Sequence, residues 1–332
     1  MRWAAFAWFL VALAALSCNA RAEEPALLLE TRIDIGPVHG RLDHLAIDLA
    51  RKRLFVAEYS NDSVGVIDLN LRKLARTIGG MNEPQGVAYV AAADVLYVAN
   101  GGDGTVRVLH GADLSPAGII KLDSDADNIR VDEAAGLVFV AHGEGGIATI
   151  DARAQELVSD IKLRAHPEGF ALDPDGRTIY ANVPGAHEIA VLDRAKSLQV
   201  ASWPIKERGN YPMALEPSTP PRIVVATRAP ARLLTTGTSQ LAGQTLDDRA
   251  LCGDADDVFV DVPHARKYIS CGDGFVQIVS ASAPSLSVQT SIGARTSLFV
   301  PELDRLYVAV PRGYIGHAAI WVFRMTSNAA AP

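Results

Sequence analysis

A strand signature that returns at near-constant spacing limits what this chain can fold into more than any other feature. Leu54-Phe55-Val56-Ala57, Leu96-Tyr97-Val98-Ala99, Val138-Phe139-Val140-Ala141 and Ile179-Tyr180-Ala181-Asn182 share one pattern, an aliphatic residue followed by an aromatic one and two smaller ones. Weaker copies begin at Ile223, Lys267 and Leu306, and successive starts differ by 42, 42, 41, 44, 44 and 39 residues. Around each copy lie three further short strands split by Gly, Asn and Asp turns, and no stretch shows capped helical periodicity. A four-stranded unit of this length cannot bury both faces alone, so it must pack against its neighbours. The expectation is an all-β fold: a seven-bladed β-propeller of four-stranded antiparallel blades, forming one domain over residues 23–326.

The ends of the repeat array point to a closed ring. The last repeat has strands near Ser297–Val300, Arg305–Ala309 and Ala318–Phe323 but lacks a fourth, and a small-residue tail, 327–332, reads as flexible. A surplus strand, Leu27 to Ile35, stands at the other end. It is expected to become the outer strand of the last blade and so remove an open sheet edge. The segment from Arg228 to Thr245 has poor turn signals and a polar third strand, so that blade is expected to be irregular.

The stretch Leu96-Tyr97-Val98-Ala99-Asn100-Gly101-Gly102-Asp103-Gly104-Thr105-Val106-Arg107-Val108-Leu109 resembles the repeat of the YVTN family of bacterial β-propellers, with looser copies at Ile179 to Asp193 and Leu54 to Asp68. The resemblance spans essentially the whole chain after residue 22. It implies a WD40-like, seven-bladed exported protein and carries little information on chemistry, because function follows the site and not the fold.

The first 22 residues read as a cleavable signal peptide. Arg2 precedes an apolar run from Ala4 to Leu16, too short to span a bilayer, and Ala20-Arg21-Ala22 offers a small-x-small cleavage site. The rival reading makes Cys18 a lipidated cysteine, although Ala15-Leu16-Ser17 matches a lipobox only loosely. Cleavage near Ala22 implies a periplasmic or extracellular protein without membrane insertion, and a monomer is expected. It leaves Cys252 and Cys271, an even pair that reads as a structural disulfide in an oxidising compartment. The formal charge of −7 gives no basic stripe for nucleic acid.

Aligning the repeats brings candidate site residues to one rim of the ring. Counting five residues back from equivalent inner-strand ends gives Asp43, Gln85, Asp127, Glu168, Tyr211, Asp256 and Thr296; the next positions are His44, Gly86, Asn128, Gly169, Pro212, Asp257 and Ser297. Asp43, His44, Gln85, Asp127, Asn128, Glu168, Asp256 and Asp257 are therefore expected to form an oxygen-rich, acidic channel mouth. Such a ring suits a hard cation such as Ca²⁺, with Asp127, Glu168 and Asp256 as its ligands. The plainer reading is that these side chains accept N–H bonds from strand-entry turns. His44 in the ring and His142, which should project from the same face, could each act as a general base, and His166, one turn from the ring, is a third candidate. Asp48, Asp132, Asp173 and Asp261 recur before turns and read as structural, and Gly101–Gly104 and Gly143–Gly146 read as hairpin turns. The resulting expectation is a non-enzymatic exported propeller binding a small ligand, cation or protein partner on its loop face. The alternative is a metal-assisted hydrolase of lactonase type using the acidic ring.

Overall fold

The computed structural model describes residues 26–281, 283–313 and 316–326; the segment 1–22 expected to be a signal peptide, Cys18 within it, and the tail at 327–332 lie outside the described residues. Within them, seven four-stranded antiparallel sheets follow one another along the chain, and the only helical pieces are three single 3-10 turns. Among the described residues no helix is long and apolar enough to cross a membrane. Blades 1 to 6 occupy residues 45–79, 84–121, 129–162, 170–204, 208–250 and 255–289, each with its first strand innermost.

Blade 7 is composite. Its inner strands are Ser297–Val300, Arg305–Val310 and Ala318–Met325, and its outer strand is Leu27–Gly36. The pairing is antiparallel, with Leu27 opposite Met325 and Ile33 opposite Ile320, so the expected closure is present.

The repeat signature explains why the ring holds. Residues of a second strand alternate between the two faces of its blade, and each face meets a different neighbour. The apolar interior accordingly divides into seven clusters, one in each gap between consecutive blades. Tyr97 of blade 2 packs with Val138 and Val140 of blade 3, while Phe139 turns to Phe170 and Ile179 of blade 4. In the closing gap Ile33 and Ile35 meet Leu45, Leu54 and Val56 of blade 1. Outer strands such as Lys73–Gly79 are mostly exposed.

The recurrent aspartates act as turn acceptors. Asp48 and Asp132 take the backbone N–H of Arg51 and Ala135, both at 3.0 Å, and Asp173 and Asp261 take those of Asp175 and His264. Blade 5 bears out one expectation in part, being irregular in its connections but not in its sheet. Its strands, Arg208–Glu216, Arg222–Ala229, Ala231–Gly237 and Thr245–Ala250, form a complete sheet. Only the connections differ: the middle hairpin turns at Pro230, whose carbonyl accepts the Thr227 hydroxyl.

Cys252 and Cys271 are bonded, 19 residues apart, tying the loop that enters blade 6 to the end of its second strand. Closing a loop of this size stabilises by about 3 kcal/mol in the chain-entropy picture. The Cys252→Ser, Cys271→Ser double variant is expected to lose about that much in urea unfolding. An unchanged midpoint would show that the strand pairing alone fixes this loop.

Candidate functional site

Backbone pairing, rather than residue counting, aligns the rim. The N–H groups of Asp43, Asp127 and Glu168 donate to the carbonyls of Ala57, Ala141 and Asn182, whose own N–H groups return to His44, Asn128 and Gly169. In blade 7 the returning bond runs from Ala309 to Thr296, so Thr296 is the counterpart of His44 and Arg295 completes the outer ring. The count placed Thr296 there because the inner strand ends at Val300, opposite Arg305 as Asp48 is opposite Arg53; Pro301 already belongs to a 3-10 turn. The ring is thus Asp43, Gln85, Asp127, Glu168, Tyr211, Asp256 and Arg295. Gly86 and Gly169 keep its walls close: a Cβ would lie 2.1 Å from the Asp127 carbonyl oxygen and 2.5 Å from that of Tyr211.

The acidic mouth expected from the sequence is instead a mixed-charge one. Arg41 bonds Asp43 and reaches the Gln85 side-chain oxygen at 3.3 Å. Arg228 and Arg295 hold Asp256 at 2.6 and 2.9 Å and both also contact Asp254. His44 lies 3.5 Å from Asp257 and 4.0 Å from Asp43, and Asp257 accepts the Ser297 N–H. Burial pushes Asp43 up to about 7, against the pull of His44 and Arg41. Burial pulls His44 down, but Asp257, Asp43 and Asp127 outweigh it and raise it to about 10. Asp256 is raised by burial in spite of its two arginines.

A second grouping joins blades 3 and 4. Asp127, His166 and Glu168 each point one ligand atom into a space where all three atoms lie within 4.8 Å of one another, the one such cluster among the described residues. His166 Nδ1 is 2.7 Å from the Gly143 carbonyl, which requires a proton on Nδ1 and turns Nε2 toward Asp127 at 3.7 Å. Asp127 is buried, and its Oδ1 has no hydrogen-bond partner. Burial and the Asp127 charge raise Glu168 to about 7, while His166, His44 and Arg41 hold Asp127 below its usual range against its own burial. The ion ligands expected from the sequence are therefore brought together in part: Asp127 and Glu168 meet His166, whereas Asp256 faces two arginines. Asn128 stays at the rim beside Asp127, at 3.4 Å, and the Gln85 amide donates to Asp125 at 2.9 Å. His142 does not line the channel; it is buried against Gly146 with its Nε2 3.1 Å from Asp160.

Below the mouth lies an axial cavity of about 450 Å³. Its upper wall carries Arg41, His44, Asp127, Glu168 and Asp256, and its lower wall Ile129, Phe170, Leu172, Met213 and Val258. Counting missed the arginines because each reaches the mouth from a different place: before the ring, at the end of a second strand, or from a shifted register.

No family model matches the chain, and no curated protein matches it. Among solved structures, hydrazine synthase from Kuenenia stuttgartiensis is similar over 83% of this chain and 93% of that one, with 16% identity and a TM-score of 0.64. At that identity the likeness is one of fold, a β-propeller.

Proposed function

We propose that this chain is an exported, YVTN-like propeller that binds a small ligand in its axial channel. The observation that supports this most is the cavity: a charged rim with side chains of both signs opening onto a throat that is apolar apart from Arg130. A concave site of this size, with a few polar groups converging above apolar walls, is how small molecules are held. A protein partner would use the outer rim of the same loop face. The test plugs the throat. Ala214 lines the cavity, and the equivalent position in blade 6 is Phe259, so Ala214→Phe fits the fold's own pattern. Small molecules from a metabolite panel that raise the wild-type melting temperature are expected to lose that effect in Ala214→Phe. Retention of every shift would place binding outside the channel.

The Asp127–His166–Glu168 cluster favours a second reading, a bound divalent ion. One imidazole with two carboxylates suits an ion that takes nitrogen as well as oxygen, such as Zn²⁺ or Mn²⁺, better than Ca²⁺, which prefers all-oxygen shells. Such an ion would supply the Lewis acidity that a hydrolase of lactonase type requires. Metal analysis after dialysis against Zn²⁺ or Mn²⁺ is expected to give one equivalent in wild type and in Asp256→Asn, and none in Glu168→Gln or His166→Asn. Equal metal content in all four proteins would sink the assignment.

A further inference from the structure

The arginine that matters most in the channel is the one without a counter-charge. Strand register gives each blade one residue opposite the aromatic position of its second strand: Arg130 faces Phe139, as Ala46 faces Phe55, Ala88 faces Tyr97 and Ala171 faces Tyr180. The remaining blades place Ala214, Phe259 and Leu298 there. Six of seven equivalent positions are apolar, and the seventh is a guanidinium lining the cavity.

Arg41, Arg228 and Arg295 at the mouth are each paired with carboxylates. Arg130 is not. Its Nε donates to the Phe170 carbonyl at 3.1 Å, one Nη1 proton goes to the Ile129 carbonyl at 2.8 Å, and its charge lies 5.4 Å from the Phe170 ring centre. Among the described residues it has no ion-pair partner. Of five N–H donors two are used, leaving the outer fork of Nη1 and Nη2 for a planar acceptor. Burial pulls its pKa down, with Asp257 and Asp127 opposing from a distance, so the charge sits where water solvates it poorly. A desolvated cation facing a cavity is stabilised by an anion that completes its hydrogen bonds.

We propose that Arg130 is the anion-binding residue of the channel, and that it takes the carboxylate of a small organic acid whose apolar body lies against Ile129, Phe170 and Val258. A carboxylate matches the free fork two bonds to two, and apolar walls favour a hydrocarbon body over a fully hydrated inorganic anion. The proposal rests on the channel being the binding site.

The experiment titrates hexanoate, hexylamine and inorganic phosphate into wild type, Arg130→Gln and Arg130→Lys by calorimetry. It is joined by ¹⁵N spectra of the Arg130 Nε–H in the wild-type protein, which need no variant to fold. Hexanoate is expected to bind wild type, to weaken about 10- to 100-fold in Arg130→Gln, and to recover only partly in Arg130→Lys, where charge returns without the fork. Saturation should move the Nε–H resonance. Equal hexanoate affinity in wild type and Arg130→Gln, or an unmoved resonance at saturation, overturns the proposal, as does the absence of hexanoate binding. Phosphate binding tighter than hexanoate overturns the organic-acid class. Hexylamine binding that is lost in Ala214→Phe, with no hexanoate binding, keeps the channel as the site and overturns Arg130 as its anchor.

Discussion

Ile33→Ala combined with Ile35→Ala is expected to destabilise the whole propeller by about 5 kcal/mol, much of the stability a domain has to lose. Both side chains are almost wholly buried, in the cluster that joins blade 7 to blade 1. They lie on one face of the outer strand, two residues apart, so their truncations share a cavity and will not simply add. The cost exceeds that of two ordinary core truncations in kind as well as size. This strand ties blade 7 to the N-terminal end of the chain by continuous pairing along Ala318–Met325. Once it peels away, that strand becomes a long exposed edge and the closing gap loses one wall. Limited proteolysis should therefore cut first within 27–36 in the double variant, before any other blade, and the urea midpoint should fall. Leu28, near the start of the same strand, is 39% exposed, and Leu28→Ala is expected to change stability by no more than about 0.5 kcal/mol. Equal loss in Leu28→Ala and the double variant would mean that pairing, not the buried face, holds the latch.

The architecture was legible because one physical constraint repeats. Each second strand must supply apolar groups to two neighbours, and Leu96-Tyr97-Val98-Ala99 is buried throughout. The latch was readable from a missing strand at one end and a surplus one at the other. The rim was legible only in part. Counting residues worked where the strand end was read correctly, as for Asp43, Asp127 and Glu168, and slipped by one in blade 7, whose hairpin matches that of blade 1 but whose inner strand ends at Val300 and not at Pro301, the start of a 3-10 turn. The charge balance was lost with that slip, because Arg295 was hidden and Arg41 and Arg228 lie off the counted positions. His166 was visible as a neighbour of Glu168, but its approach to Asp127 depends on packing between two blades. Arg130 was within reach. In Ile129-Arg130-Val131-Asp132 it looks like the polar half of an alternating strand, and only alignment with Ala46, Ala88 and Ala171 shows it to be the exception.

His44 is expected to make this protein lose stability as pH rises from neutral toward 10. Its ring is 16% exposed and faces Asp257 at 3.5 Å and Asp43 at 4.0 Å, with Asp127 and Asp256 also acting on it. The imidazolium is held to about 10 in the folded protein, against about 6.5 in an unfolded chain. Between those values the native state binds a proton that the unfolded state has released. The stabilisation is complete below about 6.5 and is lost as pH rises through 10. Asp43 acts with the same sign in a lower window: raised to about 7, it keeps a proton that an unfolded aspartate gives up near 4, so folding weakens as pH climbs between them. The His44 contribution is on the order of 5 kcal/mol, from a slope of up to about 1.4 kcal/mol per pH unit across that window. In His44→Gln that slope should vanish. The variant is expected to be clearly less stable than wild type at pH 7, because Asp257 and Asp43 lose their cation, and the two urea midpoints should converge as pH approaches 10. Midpoints that stay parallel from pH 7 to 10 would show that the ring is neutral in the folded protein. The carboxylates around it would then be balanced by Arg41, Arg228 and Arg295 alone.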